Sequence, residues 1–484
     1  MGTGTRAPTR APGRTRARAA GKGRAGQKPP AFRRELDASA LTLLTIGGIM
    51  GSGLFLASGL VLRSAGLFTL VLVAVGFVAM YLEIRALAEM SVATPAPGSF
   101  LVYMAKVLGP GWTFVTGWIF WFSSVLTMSS EVTAAATFTR FWFPHVPLWT
   151  WSLAYSALVI GLNFLSVRGF GTIEGAMAAV KSLAVLLFIL VGLLTAAHIF
   201  GFRVTGGGVP AISQEAILPH GFWGAAPTFL LMLFAFAGTG VIGLAAPETA
   251  KPREAIGAAV GRVAVFILIA YLGSIITILA LVPTSILSAT TSPFVIAGHR
   301  LPVPYAASVM NVVLLFAVLS TMNAALYSNV RVLYSLARQG DAPAGLGRLN
   351  ASGQPTRAIW VSAGLLALTI VLAYVLPHKA YAYLVTATGF QAMFIWLMVL
   401  LTHLRYRPFL ERHAPDRLTY RLFGYPTTTY LVMAIVIAAL LLSPLGRGEA
   451  VGALVGGAGI ALAVVAWLAV GRRARRGASA PDVA

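Results

Sequence analysis

The chain has 484 residues, 58% of them hydrophobic and only 10% charged, with a mean hydropathy of +0.82. Soluble domains carry about 25% charged residues, so the composition excludes an ordinary soluble protein and points to one embedded in a bilayer. Lys and Arg outnumber Asp and Glu by 36 to 14, a formal charge of +22, and the lack of cysteine excludes disulfides and thiolate metal sites.

The sequence contains no G-x-x-x-x-G-K-[ST] segment, no HExxH and no paired-histidine spacing, so neither ATP hydrolysis nor a metal centre is expected. Any uphill work has to draw on an ion gradient.

In chain order, residues 1–36 are mostly Arg, Pro, Gly, Ala and Thr, with almost nothing to bury. No apolar stretch follows the basic residues before Ala38, so this is not a secretory signal. It reads as a disordered tail drawn to anionic headgroups. A nucleic-acid-binding arm would have the same composition, and the tail alone does not choose.

A spanning helix needs about 20 mostly apolar residues. Twelve such runs follow, near 39–62, 66–88, 112–138, 147–166, 176–201, 225–247, 257–282, 305–335, 357–376, 381–403, 427–444 and 450–471. An even number puts both termini on one side. With the N-terminus inside, the inner segments carry 29 Lys and Arg and the outer loops 6, with Lys181 left inside the fifth run. Basic loops stay in the cytoplasm, so both termini are expected there. The expected organisation is a tail 1–36, a five-helix repeat 37–203, a second repeat 224–407, two appended helices 424–471 and a tail 472–484.

Two runs are interrupted by glycine: the first at "TIGGIMGSGLFLASG" (Thr45 to Gly59), the sixth at "FAFAGTGVIGLAAPE" (Phe234 to Glu248). Inside a helix glycine costs about 1 kcal/mol against alanine. Taken alone, Gly47-x-x-x-Gly51 is a helix-packing pattern. Gly238-x-Gly240-x-x-Gly243 spells a dinucleotide fingerprint, but that motif requires a strand and a soluble βαβ unit. Interruptions five helices apart instead mark an inverted-repeat transporter. Unwinding frees backbone N–H and C=O groups, which is tolerated only where they line a cavity or find other partners. The N–H groups of a second half-helix suit a carboxylate, and the carbonyls of the first suit an ammonium. Such a pair matches the zwitterionic part shared by all amino acids.

"GGIMGSGLF", "IRALAEMSVATPAPGSF", "NFLSVRGFGTIEG", "VKSLAVLLFILVG", "AAPETAKPREAI" and "LYSNVRVLYSLARQGDAP" occur in this order between about Ala38 and Arg421. The chain thereby resembles the bacterial amino acid permeases of the amino acid/polyamine/organocation superfamily. The resemblance implies an all-α membrane protein with the LeuT-type 5+5 inverted repeat, taking up an amino acid with protons and no cofactor. Carried over by position, Gly51, Ser52 and Gly53 would hold the substrate carboxylate. The carbonyls of Ile46, Phe234, Ala235 and Ala237 would hold its amine, and Thr239 would border the side-chain pocket. Asn163, Arg168 and Glu174 match a motif at the cytoplasmic end and read as structural. Many family members carry glutamate where this chain has Gly240, so the resemblance points to a neutral or apolar substrate.

Lys181 lies seven residues past Glu174, roughly 10 Å along a helix. It either snorkels to the inner interface or places its ammonium where sodium-coupled relatives bind a cation, with Ser320 and Thr321 as neighbours, and exchanges a proton during the cycle. Glu131, in the outer half of the third run, is a candidate for proton coupling, an outer-gate contact or a carboxyl held by nearby Ser and Thr. Glu83, Glu89 and Glu248 are expected to pair with inner arginines such as Arg85 and Arg331. The tryptophans at span ends, Trp118 and Trp121 among them, are expected mostly as interfacial anchors. The expected function is proton-coupled amino acid uptake at the cytoplasmic membrane, with an amino acid, protons and the bilayer as partners and no nucleic acid. An exchanger and an amino acid sensor of the same fold are the alternatives. An enzyme is the weakest, since no nucleophile–base pair stands out.

Overall fold

The computed structural model describes residues 1–2, 36–164, 167–198, 215–288, 291–350, 353–375 and 380–471. The expected basic tail from 3 to 35 and the C-terminal tail 472–484 lie outside them. Among the described residues the only β-pairing is an isolated bridge between Leu36 and Thr249; the rest of the regular structure is helix.

The first run forms α1 (Ala38–Ile49) and α2 (Ser58–Ala65), separated by a break and a wide π-type turn over Gly53–Ala57. Then come α3 (Thr69–Ala93), a short α4 (Phe100–Val107), α5 (Pro110–Thr139), α6 (Leu148–Leu162) and α7 (Val167–Ala196). The sixth run is divided into α8 (Gly221–Ala225), α9 (Phe229–Ala235) and α10 (Gly240–Leu244). The chain continues as α11 (Pro252–Leu281), a short α12 (Pro293–Gly298), α13 (Ala306–Arg338), α14 (Thr356–Val375) and α15 (Ala380–His413). α16 (Thr427–Leu442) and α17 (Arg447–Ala466) complete it. Among the described residues each of the twelve apolar runs is thus helical, and the first and sixth are broken. The short α4 and α12 sit at equivalent places in the two repeats, ahead of α5 and α13. They are too short to register as apolar runs.

Local chemistry sets the ends. Asp37 Oδ1 accepts the Ala40 amide at 2.7 Å and caps α1. Pro110 and Pro252 open α5 and α11, where a missing N–H costs nothing. α5 is rich in hydroxyls, yet Ser124, Ser129 and Thr133 return theirs to the carbonyls four residues back at 2.8, 2.7 and 2.7 Å. That is how polar side chains survive inside lipid.

α5 and α13 run side by side, and α1 lies against α7, α11 and α13. The most apolar stretch of α13 is 72% buried, against 28% for α16 and 22% for α17. The last two helices are therefore peripheral. Exposed Leu183, Leu187 and Leu190 on α7 form a stripe at helical spacing that suits acyl chains rather than water.

At the end expected to face the cytoplasm, acids meet bases. Arg331 Nε stands 2.6 Å from Glu248, whose other oxygen accepts Tyr327 at 2.8 Å. Glu89 faces His403 at 3.3 Å and Arg407 at 3.4 Å. Arg85, expected to pair with an acid, instead lies over the Tyr81, Tyr420 and Phe423 rings and donates to the Arg421 carbonyl at 2.9 Å. Glu83, one of the expected arginine partners, faces inward to the centre of the protein. Trp118 and Trp121 likewise depart from the anchoring role: their indole N–H groups donate to the Asp341 carbonyl and the Ser362 hydroxyl, both at 3.1 Å.

Candidate functional site

The last α-helical bond of α1 runs from Met50 N to Ile46 O at 3.0 Å; Gly51 N then donates to Ile49 O at 3.1 Å, breaking the pattern, and the chain turns away. The carbonyls of Gly47 and Met50 are left pointing off the helix end, the negative pole of its dipole. Lys181 Nζ, fully buried, donates to both, at 2.8 and 3.1 Å. Thr321 Oγ1 lies 2.9 Å from each. A third Lys181 bond reaches Ser320 Oγ at 3.2 Å, and Ser320 donates to Glu174 at 2.5 Å. Asn323 donates to the other Glu174 oxygen at 2.8 Å, and Asn163 to Asn323 at 2.7 Å. A Cβ on Gly47 would stand 2.3 Å from Glu174 Oε1. Gly47 is thus glycine because an acid lies against α1, rather than for helix packing alone.

The chain beyond the break is also gripped. The Ser52 amide donates to both oxygens of Glu131, at 3.1 and 2.9 Å, and its hydroxyl to Oε1 at 3.0 Å. Tyr381 OH donates to Ser52 O at 2.9 Å. A protein carboxyl therefore occupies the amide expected to receive the substrate carboxylate.

The break between α9 and α10 closes on itself. Ala237 N donates to Phe234 O at 2.9 Å and Val241 N to Gly238 O at 3.2 Å. Gly238 has φ +109°, a left-handed value that glycine alone adopts freely. A Cβ there would stand 2.3 Å from Gly48 O, so the two breaks touch main chain to main chain. Tyr271 from α11 ties them: its hydroxyl lies 2.5 Å from Ala235 O and 3.3 Å from Ile49 O.

Where the breaks meet there is a cavity of about 110 Å³; one water needs roughly 10–15 Å³. Gly51, Gly53, Phe234, Ala235, Ala237 and Thr239 line it, as do Glu131 and Thr321. Phe100, Phe120 and Trp396 supply aromatic wall, and Glu83 a carboxyl group. Two expected substrate ligands are used otherwise. Ile46 and Ser52 are off the cavity wall; the Ile46 carbonyl takes the last helical bond of α1, and Glu131 takes the Ser52 amide and hydroxyl. Lys181, Ser320 and Thr321 are brought together. Glu174, read as structural from its motif, joins them directly, whereas the Arg168 side chain lies outside the described residues. Tyr271, Tyr381 and Glu83 were not anticipated at this centre. Glu83 carried a signal, an acid inside an apolar run; the two tyrosines carried none, because only packing brings them to carbonyls. The cavity is also not free of carboxyl groups on the pocket side, so the absence of glutamate at position 240 does not by itself make the pocket apolar.

A family model described as "Amino acid permease" matches residues 40–446. An uncharacterized amino acid permease of Bacillus subtilis strain 168, YtnA, is 33% identical over 87% of this chain and 92% of its own. The γ-aminobutyric acid permease of the same strain is 32% identical over 86% and 89%. The aromatic amino acid transport protein AroP of Escherichia coli O157:H7 is 33% identical over 85% and 91%. Among solved structures, MhsT in complex with L-phenylalanine superposes with a TM-score of 0.56 at 14% identity, over 85% of this chain and all of that one, which establishes the LeuT-type fold. This chain belongs to the amino acid permease family, as a multi-pass membrane transporter of amino acids rather than an enzyme.

Proposed function

We propose that the protein takes up a neutral amino acid across the cytoplasmic membrane by alternating access, driven by protons, with both termini inside. The observation that carries this reading is the buried Lys181 ammonium on the Gly47 and Met50 carbonyls at 2.8 and 3.1 Å. Protonated, it pins the end of α1 to α7 and, through Ser320, to α13. Deprotonated, it no longer donates to both carbonyls and the Ser320 hydroxyl at once, and the end of α1 is released. Glu174, one hydroxyl away, is placed to accept or return the proton. Glu131 acts at the other half. As a carboxylate it competes with the substrate carboxylate for the Ser52 amide, and as a carboxylic acid it yields that amide.

The driving force is adequate. One charge moved through 100 mV is worth about 2.3 kcal/mol, and at 1.4 kcal/mol per decade that sustains roughly 40-fold accumulation. The aromatic wall at Phe100, Phe120 and Trp396 favours a bulky side chain, in keeping with the names of the AroP relatives and the ligand of the MhsT structure.

The test is uptake of each standard amino acid by the purified protein in liposomes, with and without an imposed pH gradient. Uphill uptake of at least one, collapsing with the gradient, is expected. Uptake only into preloaded vesicles would instead establish an exchanger, and saturable binding without flux a sensor.

A further inference from the structure

Three polar atoms in the cavity wall make no well-formed hydrogen bond within the protein: Glu83 Oε2, Thr239 Oγ1 and Ser328 Oγ. They come from α3, from the break between α9 and α10, and from α13. Their side chains are buried, at 1%, 0% and 4% exposure; Thr239 stands within hydrogen-bonding reach of Glu83, and a carboxyl group that takes one hydroxyl still has acceptor capacity left. Buried side-chain polar atoms have a partner in the large majority of cases, so three such atoms in one wall suit a partner that enters from outside.

The other acids at the centre and inner end are already engaged. Glu131 holds Ser52, Glu174 holds Ser320 and Asn323, Glu248 holds Arg331, and Glu89 holds Arg407 and the Leu422 amide. Glu83 belongs to none of the described ion pairs. Around it the wall is apolar, with Leu87, Phe100, Phe120 and Trp396.

We propose that Glu83, assisted by Thr239 and Ser328, determines which side chain the pocket accepts: one with a bulky apolar body that ends in an N–H or O–H donor. This rests on the reading of the cavity as the transport site, and it narrows the substrate class within it. A carboxyl group and two hydroxyls can receive a donor, whereas a purely hydrocarbon side chain offers none of them a partner. The donor is neutral, an indole N–H or a phenol O–H, in keeping with the neutral substrate proposed above. An acidic side chain is rejected by the Glu83 carboxyl.

The experiment is competitive uptake by the purified full chain in liposomes, using pairs matched in body and differing in the donor. Suitable pairs are tyrosine with phenylalanine, tryptophan with 1-methyltryptophan, and lysine with norleucine. In the native protein tyrosine is favoured over phenylalanine, or tryptophan over 1-methyltryptophan, by about tenfold or more, and in Glu83→Leu the ratio falls to within about twofold. Glu83→Gln retains a preference for indole or phenol, and a native preference for lysine over norleucine overturns the neutral-donor assignment. Should Glu83→Leu fail to fold, Thr239→Val reads the same ratio and is expected to lower it. An unchanged ratio in the variants, or no discrimination by the native protein, overturns the assignment and leaves the carboxyl as a hydrated wall group with transport intact. Native protein that neither binds nor moves any amino acid overturns the transport reading as well.

Discussion

At the first helix break, side chains from four other helices hold the exposed main chain: Lys181 of α7 and Thr321 of α13 on the carbonyls of Gly47 and Met50, Glu131 of α5 and Tyr381 of α15 on Ser52. At the second, the chain closes its own turns, with Ala237 returning to Phe234 and Val241 to Gly238, and Tyr271 of α11 is the outside hydroxyl on its carbonyl at Ala235. The two breaks occupy equivalent places in the repeats but are stabilised differently. The first is a joint made by titratable groups, so its strength changes with protonation. The second is fixed by backbone geometry, so it serves as a stationary wall. Under the proposed function, the proton acts at the first break while the substrate lies between the two.

This contrast can be broken, beginning with the largest effect. Lys181→Met removes the ammonium from α1, and proton-driven accumulation in liposomes is expected to vanish, with the internal concentration no higher than the external. Undiminished uphill uptake would show that the joint is not proton-operated. Gly238→Ala should be nearly as damaging for an unrelated reason: its methyl would meet the Gly48 carbonyl at 2.3 Å, and neither backbone can retreat. A fall in thermal stability with loss of binding is expected, and no change in proton coupling among any molecules that fold.

Glu131→Gln leaves a side chain of the same shape that cannot ionise. Its substrate affinity should lose most of the pH dependence expected of the native protein, which binds more tightly in acid, where a protonated Glu131 yields the Ser52 amide. Tyr271→Phe strips the hydroxyl from Ala235 O and should cost about 1–3 kcal/mol, read as a lowered unfolding midpoint. Gly240→Ala is the control within the second break. Its methyl would sit 3.6 Å from the Phe120 ring, and stability should change by less than about 0.5 kcal/mol.

Much of the fold was legible in advance, because a bilayer imposes a length and a polarity on each segment. Helix breaks need glycine, so "GGIMGSG" and "FAGTGVIG" announced themselves. Lys181 was visible as an isolated charge in an apolar run. The pairing of acids was not. Glu83 and Glu89 lie six residues apart on α3, yet one enters the cavity and the other meets Arg407 and His403 at the inner end. Periodicity says which residues share a face, but not what that face meets.

What the linear order of residues determined by itself is the membrane class, the helical runs, the two broken segments and the family, since hydropathy, glycine placement and ordered motifs are local properties. Tertiary structure alone decided that Glu131 takes the Ser52 amide, that Glu174 closes on Gly47, that Tyr271 ties both breaks, and that Glu83 faces the cavity with an oxygen to spare. Each depends on which helices pack together and at what rotation. In an apolar medium, where every polar atom needs a partner, that packing assigns each acid its role.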